Sequence, residues 1–292
     1  MAISFLAASS AGGRDLRDVF ERMAWDMAFA KKSVRTQKIY LSDAKAFAAF
    51  QGRSPEELGQ REVRVWVEHL IERQVSPSRL RQHLAALVFL FRKTLGMPQA
   101  VSFFSWPNDP EPLPVVLSPA EVAGLLAAMP TPAYRMLFCT MFASGLRIGE
   151  ACRLVVSDLD GDRGAIRVLG KGQKERLAAL HPPLLAHLRA YWHAYRPVAP
   201  WLFTGKYGLP LDPDQARKVF KAAVLATGLG KRATPHSLRH TYATLLLEHG
   251  TGLPVIQALL GHGALSSTER YLHVPTHLIR GSVDPMELLP PP

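Results

Sequence analysis

The sequence predicts a mainly α-helical protein of two domains, the second carrying a small antiparallel β-sheet. Three observations predict it. The 292 residues suffice for about two domains at ~150 residues each. A proline-rich stretch holding Pro98, Pro107, Pro110, Pro112 and Pro114 divides the chain. Before it, apolar residues recur at helical spacing; after it, helical segments surround two short strand-like runs.

The elements follow in order. Residues 1–13 read as a flexible tail and 14–97 as a helical domain. Its helices are expected at Asp15 to about Ala30, Ser33 to Phe50, Gln60 to Arg73 and Ser76 to Leu95. Ser54-Pro55-Glu56-Glu57 reads as a capping box ahead of the third. Leu80, Leu84, Leu87, Val88, Phe91 and Leu95 form one apolar face of the fourth, and Gly96 suits its C-terminal end. Proline lacks an N–H donor and biases its predecessor to extended backbone, so residues 98–117 read as an extended linker. Ser118-Pro119-Ala120-Glu121 then opens a second domain over 118–292, with Ser as N-cap, Pro at N1 and Glu at N3. A buried helix is expected over Ala133 to Ala143. Strands follow at Ala165 to Leu169 and Glu175 to Leu180, with the turn at Gly170-Lys171-Gly172-Gln173. Further helices are expected at Pro182 to Tyr195, Asp212 to Leu225, Thr234 to His249, Pro254 to Leu260 and Ser267 to Tyr271. A tail begins near residue 274.

Composition narrows the function. Lys and Arg number 35 against 24 Asp and Glu, a formal net charge of +11. The excess is +5 over residues 1–110 and +6 over 111–292, as expected of two domains gripping one polyanion, with nucleic acid the prime candidate. The longest apolar run, Leu84 to Phe91, falls far short of the ~20 residues a membrane helix needs. Two cysteines, Cys139 and Cys152, build neither a disulfide framework nor a cysteine zinc site. No basic residue precedes the apolar Ala2 to Ala8, so no secretory signal is expected.

Several short patterns carry candidate chemistry. Lys31, Arg35, Lys38 and Lys45 form one positive stripe opposite Tyr40, Ala44 and Phe47, either a solvated face or a track for phosphates. In Ser144-Gly145-Leu146-Arg147-Ile148-Gly149-Glu150, a turn glycine precedes Arg147 at a helix start, with Glu150 one turn on. Such a corner suits a phosphate oxygen, although a surface Arg–Glu pair has the same spacing. In Thr234-Pro235-His236-Ser237-Leu238-Arg239-His240, Thr234 caps, and His236 and Arg239 share a helix face near an N-terminus. His236 and His240 have metal-ligand spacing, but Ser237 stands where an acid is needed and Arg239 repels a cation, so no metal is expected. Gly261 ends a helix and presents His262, and Tyr271 follows nine residues on. Lys171 lies at the hairpin tip, with Lys174 and Arg176 as alternatives for its task. Alone, each is also explained by ordinary packing or solvation.

Together and in this order, Ser144-Gly145-Leu146-Arg147-x-x-Glu150, the Gly170-Lys171-Gly172 hairpin, His236-x-Leu238-Arg239-His240, Leu260-Gly261-His262 and Tyr271-x-His273 resemble the tyrosine recombinases, or phage integrase family. The resemblance is close from about Leu117 to Val274, and size and compactness resemble the Xer and transposon-integrase side. It implies a two-domain DNA clamp: a core-binding domain before the linker and a catalytic domain after it. The reaction it implies is site-specific cleavage and rejoining of DNA through a 3′-phosphotyrosyl bond, without metal, ATP or other cofactor. Tyr271 is the implied nucleophile and His236 its proton acceptor. Arg147 and Arg239 hold the non-bridging oxygens, Lys171 protonates the leaving 5′ oxygen, His262 donates to the phosphate, and Glu150 orients Arg147 or His236. Tyr242, in His240-Thr241-Tyr242-Ala243, is the decoy nucleophile, since its position is helical and apolar.

The implied partner is double-stranded DNA with paired recognition sites. The protein is expected as a homotetramer there, as a monomer when free, and in the cytoplasm with the nucleoid. Its tail, with Leu278, Ile279, Val283, Leu288 and Leu289 as anchors, either passes to a neighbouring copy or folds back. Other readings are a type IB topoisomerase-like relaxing enzyme, a catalytically silent DNA-binding protein, and a metal phosphodiesterase.

Overall fold

Residues 18–103, 106, 113–169, 175–261 and 282–289 are described in the computed structural model. The chain divides into two compact units, the first running to Pro112 and the second starting at Leu113.

The first unit is four helices: α1 (Val19–Phe29), α2 (Val34–Gln51), α3 (Gln60–Glu72) and α4 (Pro77–Phe89). The side chains of Asp18, Ser33 and Ser76 cap α1, α2 and α4 by accepting backbone N–H bonds. Met23, Met27, Phe47, Trp66, Leu70, Leu87 and Phe91 form the core. Three sequence expectations change. Ser54 makes no side-chain cap: Pro55–Glu57 is a lone 3₁₀ turn, and Glu62 caps α3 by accepting from Gly59 N at 2.9 Å. The fourth helix is not uniform, since a π turn over Leu90–Thr94 follows α4. The stretch after Met97 is not extended at its start. Pro98–Val101 is a 3₁₀ turn whose Ala100 and Val101 are buried in this core.

One charge is buried here. Asp43 on α2 is 1% exposed. It accepts from Arg79 at 2.5 and 3.1 Å and from Gln82 at 3.0 Å, both on α4. Asp43→Ala is expected to destabilise this unit by about 1–3 kcal/mol, since two donors lose their acceptor. Faster amide hydrogen exchange confined to α2 and α4 of the intact chain checks it; unchanged exchange refutes it.

The second unit comprises α5 (Pro119–Ala127), α6 (Pro132–Ser144), the short α7 (Ile148–Ala151), strands β1 (Leu159–Asp160), β2 (Ala165–Leu169) and β3 (Glu175–Ala179), then α8 (Pro182–Tyr195), α9 (Pro213–Ala226), α10 (Pro235–Glu248) and α11 (Leu253–Leu260). The capping box at Ser118 forms as read, with Ser118 and Glu121 exchanging bonds at 2.7 and 3.2 Å. The sheet is antiparallel in the order β1-β2-β3, with Val168 opposite Arg176. The sequence reading missed β1, whose two residues are too few to show alternation. Every side chain of α6 from Met136 to Ser144 is buried, making it the central helix, and α10 packs beside it. Thr234 does not cap α10 as expected. Instead the Ser237 hydroxyl accepts from Thr234 N at 3.1 Å. Residues 282–289 lie on their own unit: Met286, Leu288 and Leu289 pack on its core, and Val283 packs on the smaller cluster around Tyr242. Leu278, Ile279 and the expected helix at 267–271 lie outside the described residues. No described helix is long and apolar enough to cross a membrane.

Candidate active site

The site starts from a turn that only glycine accommodates. Gly145 ends α6 at φ +62°, and a Cβ there would meet the Tyr242 ring at 2.5 Å. The turn releases Arg147 at the N-terminal edge of α7. Glu150, one turn later, accepts from the Arg147 backbone N at 2.8 Å and from its Nη1 at 2.9 Å. A second guanidinium reaches the same carboxylate from β3, with Arg176 Nη2 at 2.7 Å from Glu150 Oε2. Burial pushes the Glu150 carboxyl up. The Arg176 charge, the Arg147 backbone N–H and the Arg147 guanidinium outweigh that and hold it below its usual 4.5. A lowered carboxyl stabilises the fold above its unfolded value, and that contribution is lost as pH falls through the folded one. The clamp is therefore complete at neutral pH.

The third guanidinium belongs to Arg239 on α10. It is 2% exposed and donates to Gly145 O at 2.7 Å and Leu260 O at 2.5 Å. Burial first, then the Arg147 and Arg176 charges, lower its pKa to about 9. The three guanidiniums meet the end of α11 in sequence. Arg176 donates to Leu259 O at 2.5 Å, Arg239 to Leu260 O, and Arg147 to Gly261 O at 3.4 Å. These carbonyls lie at the C-terminal end of a helix, where cations are favoured. Arg147 and Arg176 pair with the one carboxylate of Glu150 while Arg239 has only backbone acceptors, so among the described residues the corner carries surplus positive charge.

His236 is exposed at the first turn of α10, and its ring stands edge-on to His240 with centroids 4.7 Å apart. Burial and then Arg239 lower the pKa of His240. No three His, Cys, Asp or Glu among the described residues are grouped to hold a metal. Tyr242 is fully buried, burial raises its pKa, and its hydroxyl has no hydrogen-bond partner among the described residues. Lys171, His262 and Tyr271 lie outside the described residues.

The structure therefore brings Arg147, Glu150 and Arg239 together around Gly145 and the α11 terminus. Arg176, read as an alternative to Lys171, serves differently: it is drawn inward onto Glu150. A signal existed, because strand alternation puts Arg176 on the face of buried Ala178 and opposite buried Val168. In the first unit, Arg35 and Lys38 are exposed on α2, opposite buried Ala44 and Phe47. Lys31 occupies the preceding turn at φ 51°. Exposed Lys45 places its ammonium 5.5 Å from the centre of the Phe20 ring.

Both units have counterparts among known proteins. Residues 116–277 match the phage integrase family, and 19–100 match the phage integrase N-terminal SAM-like domain. The chain belongs to the phage integrase, or tyrosine recombinase, family. It is 33% identical over 323 aligned positions to an integrase/recombinase of Escherichia coli, covering 94% of each chain. It is 31% identical over 277 positions to tyrosine recombinase XerC of a Mycobacterium species, covering 87% of this chain and 92% of that protein. Its fold is similar to that of a lambda integrase tetramer bound to a Holliday junction, with TM-score 0.69 and 19% identity, covering 86% of this chain and 77% of that one.

Proposed function

We propose that this protein is a site-specific DNA recombinase that cuts and rejoins strands through a covalent bond to Tyr271. The Tyr271 oxygen attacks the scissile phosphorus; the Oη–P bond forms as the bond to the 5′ oxygen breaks. The phenol proton passes to His236, and Lys171 supplies the proton the leaving oxygen needs. Arg147 and Arg239 hold the non-bridging oxygens as charge builds on them, with His262 adding a donor. Glu150 orients Arg147. The phosphoester energy is retained in the adduct, so a second 5′ hydroxyl reverses the step without ATP or metal. Lys31, Arg35, Lys38 and Lys45 track the DNA backbone from the N-terminal unit, which with the catalytic unit forms a clamp joined by the linker. The protein assembles as a tetramer on paired sites and acts on DNA in the cytoplasm.

The observation that supports this reading best is the surplus positive charge where three guanidiniums gather around one carboxylate, two of them paired with it. The test is to incubate the protein with nicked genomic fragments in EDTA, denature, and sequence the DNA that stays covalently attached. Recovery of one recurrent paired site, linked through a 3′ phosphate, is expected. Newly cut ends without an adduct, or activity lost to EDTA, would overturn it. Relaxation of supercoiled DNA lacking any preferred site would favour a topoisomerase instead.

A further inference from the structure

We propose that Arg176 is a positioning residue for the phosphate-binding arginines, acting through Glu150 and the end of α11. The inference rests on the recombinase reading above. Arg176 does not face solvent: its side chain is 10% exposed. One Nη donates to Glu150 at 2.7 Å and the other to Leu259 O at 2.5 Å. It therefore ties β3 to α7 and α11 at once. Its partner Glu150 holds both the backbone N and the guanidinium of Arg147. Its other partner is one residue from the carbonyl that Arg239 grips.

The backbone is shaped to admit this side chain. Gly261 sits at φ +66°, and a Cβ there would collide with Arg176 Cδ. Leaving Glu150 with Arg147 alone removes the second charge that fixes the carboxylate. Arg147, 41% exposed, then loses its rigid backstop. A lysine in place of Arg176 keeps the charge, but a single ammonium lacks the fork that spans carboxylate and carbonyl.

The test measures adduct formation on a suicide substrate built from the recovered site, in three versions. One has the natural phosphate. One has a methylphosphonate at the scissile position, which removes the charge Arg147 neutralises. One has a 5′-bridging sulfur, whose thiolate leaves without a proton. Arg176→Ala and Arg176→Lys are expected to slow the natural substrate by roughly 10–100-fold, less than the ~10²–10³ typical of losing a donor itself. The deficit should close on the methylphosphonate and persist on the bridging sulfur. Lys171→Ala should show the opposite pattern.

Equal loss on all three substrates, or unfolding of both variants, would mean a merely structural Arg176 and overturns the proposal. Recovery on the bridging sulfur would place Arg176 in the hairpin lysine's task and also overturns it, as does wild-type speed in both variants. A wild-type protein that forms no adduct sinks the recombinase reading and this one together. A wild-type adduct with unaffected variants sinks this one alone.

Discussion

Tyr271→Phe is expected to abolish the covalent protein–DNA adduct while leaving site-specific binding intact, and Tyr242→Phe to preserve both. Tyr242 lacks the access that such a nucleophile needs. Tyr242 is wholly enclosed, with its ring directly beneath the Gly145 turn. Burial raises its pKa, which opposes the ionisation a phenolic nucleophile undergoes during attack. Its hydroxyl satisfies no partner among the described residues, so deleting that oxygen should leave stability unchanged or slightly improved. Denaturing gels with end-labelled DNA read the adduct, and mobility shifts read binding. An adduct that survives in Tyr271→Phe and disappears in Tyr242→Phe would falsify the assignment.

Arg239→Ala and Arg147→Ala should each cost at least ~10²–10³ in the rate of adduct formation, the usual loss for one preorganised donor to a developing charge. Arg147→Lys should fare little better, because an ammonium cannot reproduce the paired donors of a guanidinium. The two arginines differ in their second effect. Arg239 is buried and also satisfies Gly145 O and Leu260 O, so its loss orphans two acceptors and should lower the melting temperature. Arg147 is more exposed, and its removal should leave melting nearly unchanged. The double variant should fall well short of the product of the single losses, since both residues serve one phosphate. Single-turnover rates beside thermal melts separate these outcomes. Full activity in either alanine variant would remove that arginine from the phosphate site.

The sequence displayed what is local. The cap at Ser118 was legible because a capping hydroxyl and the N–H it serves lie within three residues. The paired spacing of Arg147 and Glu150 was legible for the same reason. Arg176 was misplaced because its partners are distant: Glu150 lies 26 residues away and Leu259 lies 83 away. One of those partners is a main-chain carbonyl, which no residue name reveals. The Asp43–Arg79 pair spans 36 residues and was invisible for that reason. Ser54 misled because its pattern matched a capping box, yet the chain there takes only a 3₁₀ turn and delegates the cap to Glu62. Pro98 misled in the opposite way: proline starts a short helical turn well, and burial of Ala100 and Val101 draws that turn into the core.

At the end of α11 the three guanidiniums each meet a peptide oxygen. Genetic vulnerability is therefore lopsided. Codons for Leu259 and Leu260 can drift among apolar residues without touching the acceptors, because every amino acid supplies the same carbonyl. Codons for the three arginines and for Gly261 have no such freedom, so inactivating missense changes in this corner should accumulate on one bank of the contact and spare the other.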